Sequence, residues 1–101
     1  MALYMLYKTK STTDDTSKMD EIREQFMKIY EEHEIDIIGA WVDESDPSMT
    51  YYMSRYKDES EYKSKVEKLR SDERYSKLTE TLNSIRSKTD AIRLTPMWEP
   101  S

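Results

Sequence analysis

His33 is the single histidine of this 101-residue chain, and so the one side chain whose ordinary pKa lies near neutrality. As a catalytic group it would be a general base or an axial haem ligand. At a helix end it would instead be a cationic partner for the terminal carbonyls. Arg55 sits among tyrosines in YYMSRYK, where a guanidinium can anchor an anionic or enolate-like ligand or pair with a carboxylate at a rim. Trp41, with Tyr7, Tyr51 and Tyr52, supplies walls for a planar substrate, because aromatic side chains join apolar area to a polar handle. Aromatics at strand spacing serve more often in cores and subunit contacts. Asp36 offers a carboxylate, but no second carboxylate at a fixed spacing makes an acid–base pair with it.

Other chemistries are excluded by composition. No cysteine occurs, which removes thiolate nucleophiles, disulfides, cysteine-ligated zinc and iron–sulfur centres. Asp43 to Asp46 reads DESD and lacks EF-hand ligand spacing. A single glycine cannot build a phosphate-cradling loop. No cofactor and no metal are therefore expected. A net charge of -5 disfavours nonspecific nucleic-acid binding. The opening MALYMLYKTK has too short an apolar run for a membrane span and no basic leader. A cytoplasmic, non-membrane protein is expected.

The elements that must position these residues follow from periodicity. Leu3 to Lys10 reads as a strand, with Leu3, Met5 and Tyr7 on one face and Tyr4, Leu6 and Lys8 on the other. Ser11 to Ser17 is polar, and Ser17 with Asp20 has capping-box spacing. From Lys18 the period is helical, with Ile22, Phe26, Ile29, Tyr30 and His33 on one side. Glu34 to Lys57 is a hairpin around a loop containing Pro47. Its first run places Ile35, Ile37, Gly39 and Trp41 on one face and Asp36, Ile38, Ala40 and Val42 on the other. Its second opposes Tyr51, Met53 and Arg55 to Tyr52, Ser54 and Tyr56. Asp58 to Lys88 is helical and free of Gly and Pro, but its apolar positions suggest two pieces: Tyr62, Val66 and Leu69 share one face and Tyr75, Leu78, Leu82 and Ile85 another, with Ser71 at the join as a candidate cap of the second. Thr89 to Thr95 is a last strand, ended by Pro96. Trp98 follows, as a lid over a cavity or an arm laid on a partner.

A single α+β domain spanning 1–101 is expected, a ferredoxin-like β-α-β-β-α-β subunit with a four-stranded antiparallel sheet. Helices cover one face. The other still carries Tyr, Ile, Trp and Leu, more than a monomer usually leaves in water. A homodimer closing sheet on sheet into a dimeric α+β barrel would bury it. Covering about 1,000 Å² of apolar surface gives an area term on the order of 25 kcal/mol before the costs of association. A monomer binding RNA on that face is the rival, disfavoured by the acidic charge.

The same segments resemble the NIPSNAP family. YMLYKTK opens the chain, KMDEIREQFMKIYEEH follows, and IIGAWVDE carries a Gly-x-Trp element at Gly39 and Trp41. YYMSRYKDESEY, LRSDERYSKL and AIRLTPMWEP complete the order. The resemblance implies a ferredoxin-like subunit and a homodimer of the dimeric α+β barrel superfamily, in a family whose domains mostly have no settled enzymatic role. Relatives in that superfamily include cofactor-free monooxygenases. The expected function is a structural or small apolar-ligand-binding domain. The alternative is a cofactor-independent monooxygenase or isomerase acting on a small aromatic or polyketide-like substrate. Trp41 and the tyrosines would then hold the ring, Arg55 would balance oxyanion charge, and His33 would move a proton. That alternative requires His33 and Arg55 to meet in one cavity.

Overall fold

Strand alternation decides what the first strand turns inward: Leu3, Met5 and Thr9 are buried, while Tyr4, Leu6 and Lys8 face the other way. The computed structural model describes residues 2–12 and 16–98. Thr13 to Asp15 of the polar loop, and Glu99 and Pro100 of the tail, lie outside the described residues. The described elements are β1 (Leu3–Ser11), α1 (Thr16–Glu32), β2 (Asp36–Val42), β3 (Met49–Tyr56), α2 (Glu59–Arg70), α3 (Glu73–Asn83) and β4 (Arg86–Leu94). The sheet is antiparallel, ordered β2-β3-β1-β4.

Two expectations about architecture are corrected. The sheet is open and not closed into a barrel: β2 and β4 are its edges, and neither pairs with the other. Four strands cannot close on themselves around filled side chains. Three described helices stand where the β-α-β-β-α-β order counts two, because the second helical stretch divides near Ser71, as its change of apolar face predicts. Arg70 ends α2, Ser71 is its C-cap, and Asp72 starts α3 by accepting the Arg74 backbone N–H at 2.9 Å. The carboxylate of Asp72, on extended backbone, takes the capping role expected of Ser71. Helix α3 also ends at Asn83, five residues before Lys88, because Arg86 and Lys88 pair with β1 instead. At the other end α1 begins at Thr16, so Ser17 lies inside the helix.

A bulge changes the faces of β2. Asp36 and Ile37 pair with Arg55 and Ser54, but Gly39 then pairs with Met53, so Ile38 is the extra residue. Beyond it the phase inverts. Ile37, Ala40 and Val42 share the helix side, and Asp36, Gly39 and Trp41 share the other. Ile37 and Trp41 therefore lie on opposite faces. The Trp41 ring lies over Gly39, where an added Cβ would stand 2.7 Å from the indole. In the hairpin loop Asp43 accepts from the Ser45 N–H at 2.9 Å and the Tyr51 hydroxyl at 3.0 Å. The loop's acids thus organise a turn.

The core lies between the sheet and the helices, from Leu3, Met5 and Tyr56 to Ile22, Ile29, Leu69 and Leu78. The helix-free face carries Tyr4, Leu6, Met53, Ile92 and Leu94 at its centre, flanked by Trp41 and Tyr51. Trp41 is 52% exposed and Ile92 38%. Met97 and Trp98 are exposed beyond β4. No described helix is long and apolar enough to cross a membrane.

Candidate ligand cavity

The inward positions of β1 and β3 bring three tyrosines together. Register pairs Tyr7 with Tyr52, and Tyr56 lies four residues further along β3 on the same face. Each helix adds at least one more: Tyr30 from α1, Tyr62 from α2 and Tyr75 from α3. These six tyrosines, with Ser54 and aliphatic neighbours, line a cavity of about 160 Å³. Helices laid across a sheet fill their interface with large side chains. Planar rings, unlike branched aliphatics, leave slots between them.

Tyr7 and Tyr52 stack with centroids 4.6 Å apart, and Tyr56 meets Tyr62 edge-on at 5.0 Å. The Tyr30 and Tyr52 hydroxyls are 3.2 Å apart, and Ser54 donates to the Tyr56 hydroxyl at 3.3 Å. Burial pushes the Tyr52 phenol up to about 12, and burial, with tyrosine neighbours, pushes those of Tyr7 and Tyr30 higher still. Burial raises Tyr56 as well. Phenols held protonated are hydrogen-bond donors at neutral pH and not bases. The cavity can therefore grip a ring and donate to its oxygen.

The residues singled out in the sequence fall in three places. Tyr7 and Tyr52 line the cavity. Trp41, Tyr51 and Arg55 belong to the helix-free face, where the Arg55 Nε donates to the Tyr4 hydroxyl at 3.3 Å and the guanidinium lies 6.0 Å from that ring. Tyr51 also borders, with Tyr52, a separate hollow of about 60 Å³ beneath α1. His33 follows α1, its Nε2 2.9 Å from Asp72 Oδ2. His33 and Arg55 share no cavity, being on opposite sides of the sheet. In the sequence Tyr30, Tyr62 and Tyr75 read as ordinary members of apolar helix faces, and Tyr56 as strand bulk. The signal they carried was the repetition of a phenol where an aliphatic residue would pack as well.

The contact at His33 is a charged latch. Asp72 also receives the Arg74 guanidinium at 2.8 Å, and Arg74 reaches Glu32. Hydrogen bonds from Arg74 first, then His33, hold the Asp72 carboxyl well below the usual carboxylate range. Folding lowers this pKa, so the stability it contributes is complete above the ordinary value of 3.8 and is lost as pH falls below it. Glu32, Asp43 and Asp46 are lowered too. Asp72→Asn is expected to lower the urea midpoint at neutral pH and to flatten its fall in acid. Identical acid slopes for the two proteins would show that the latch contributes nothing there.

No protein-family model and no curated protein matches the chain. Solved structures do. A NIPSNAP family protein from Agrobacterium tumefaciens superimposes with a TM-score of 0.84 at 17% identity, covering 96% of this chain and 94% of that one. A NIPSNAP domain protein from Burkholderia xenovorans gives 0.85 at 17% identity, covering 98% and 99%. SnoaB, a cofactor-independent oxygenase from Streptomyces nogalater, gives 0.77 at 3% identity, covering 97% and 95%. The chain therefore has the fold of the NIPSNAP family structures.

Proposed function

We propose that this chain is a NIPSNAP-like domain that binds a small, single-ring aromatic molecule between its sheet and helices, and that it works as a homodimer. The carrying observation is the cavity of about 160 Å³ walled by six tyrosines. A dry engineered cavity of about 150 Å³ accepts benzene, which sets the scale at one ring. The stacked and edge-on tyrosines offer faces to that ring, and their hydroxyls offer donors to a phenol or quinone oxygen. The absence of cysteine fits a cytoplasmic setting. The dimer draws its support from the helix-free face, where Leu6, Met53 and Ile92 form a contiguous apolar centre.

Phenol is the direct probe. It is expected to raise the melting temperature, with stabilisation of about 2.7 kcal/mol at a hundred times its dissociation constant. Ala91 reaches the cavity from the exposed strand β4, so Ala91→Leu fills the space from its edge and should abolish the shift while the protein stays folded. An equal shift in both proteins, or none in the parent, would contradict the reading.

A second reading, a cofactor-independent oxygenase or isomerase, is supported by the likeness to SnoaB. It asks for a base beside the bound ring. The cavity offers protonated phenols and Ser54 instead, with His33 held by Asp72. Binding is the stronger reading on that ground. Oxygen uptake with a quinol separates the two.

A further inference from the structure

We infer that the cavity's ligand is an aromatic carboxylate, its ring among the tyrosines and its acid group on Arg70 at the mouth. The inference rests on the ligand-binding reading above. Tyr62, Val66 and Arg70 line both the cavity and an adjoining groove of about 340 Å³ along α2, and the proposed mouth lies where the two share these residues. The walls within carry hydroxyls and apolar groups. A carboxylate buried among them would lose its hydration for too few donors. An aromatic acid that fits must therefore divide, ring inward and charge outward.

Arg70 stands where that charge emerges. It is the last residue of α2 and is exposed, and no described carboxylate lies within ion-pair distance of its guanidinium. Other cations on the helix side are already engaged: Arg74 with Asp72 and Glu32, Arg93 with Glu59, and the groove's own Lys63 with Glu59. The groove also holds Lys63 and Glu67, so its rim carries two cations and one anion. Arginine suits the role because its planar fork meets a carboxylate with two parallel hydrogen bonds.

Calorimetry on the full chain with phenylacetate and phenylacetamide, which share a ring and differ in charge, tests this. The acid is expected to bind about tenfold tighter, the gain of one partly exposed charge-assisted pair. In Arg70→Gln that advantage should fall to about unity. Lys68→Gln, on the same helix but outside the cavity lining, should keep it and so controls for net charge. Glutamine is close to arginine in helix propensity, and an unchanged circular dichroism spectrum verifies the fold. If the amide and acid bind equally, the carboxylate assignment falls and the ring cavity stands. If neither binds, both fall. An advantage that survives Arg70→Gln overturns the role given to Arg70.

Discussion

Above pH 10 the protein is expected to unfold in one steep transition, with its tyrosines ionising as the fold is lost. Burial raises the phenols of Tyr7, Tyr30 and Tyr52 above their ordinary value of 10.0. The folded chain keeps those protons where the unfolded chain gives them up, so stability is complete below pH 10 and falls as pH rises beyond it. Each phenol that stays protonated in the fold costs about 1.4 kcal/mol per pH unit. Three together approach about 4 kcal/mol per unit, against a total of about 5–15 kcal/mol for a small domain. Tyr56 acts in the same direction. Tyrosinate absorbance and helical circular dichroism should therefore change together. Tyr30→Phe with Tyr52→Phe removes two of the ionisations and should make the alkaline limb shallower. Gradual ionisation near pH 10 with the helices intact would mean that the cavity is open to water.

The second large effect belongs to the helix-free face. Leu6 lies at its centre, paired with Met53 on one side and Ile92 on the other. Leu6→Asp would place a carboxylate where the proposed dimer offers it no partner. Burying such a charge costs roughly 3–5 kcal/mol, or about two to four decades in the dissociation constant. The core residues point away from this position, so the variant's helix content should match the parent's. Sedimentation at micromolar concentration should find a dimeric parent and a monomeric variant. A monomeric parent would remove the dimer and leave the cavity standing.

Much of this was legible in the sequence because alternation survives in β1 and β3. Leu3, Met5 and Tyr7 do share the face of Tyr52 and Tyr56, and Leu6 and Met53 share the opposite one. The helix faces around Ile22, Ile29, Leu69 and Leu78 were equally plain. What failed was local. One extra residue at Ile38 inverts everything after it, and the local signal was Gly39 beside it, since an isolated glycine within a strand pattern often marks a bulge. The helix break fell at Asp72 because two polar residues, Ser71 and Asp72, compete for one cap. The end of α3 depends on pairing between β4 and β1, a long-range contact that no local pattern encodes. The barrel was an inference about two chains laid onto one, and the single sheet keeps free edges. The cavity was legible only in part. Tyr7 and Tyr52 stood out as strand aromatics, but the helix tyrosines that complete it looked like any other apolar stripe.

Crystals soaked in 4-bromophenol offer the most direct measurement, because bromine scatters anomalously and marks the ring's position without ambiguity. One anomalous peak is expected per chain, among Tyr7, Tyr30, Tyr52, Tyr56, Tyr62 and Tyr75. A peak only on the helix-free face beside Trp41, or a cavity that stays empty at saturating ligand, would contradict the assignment of this tyrosine cage as a binding site.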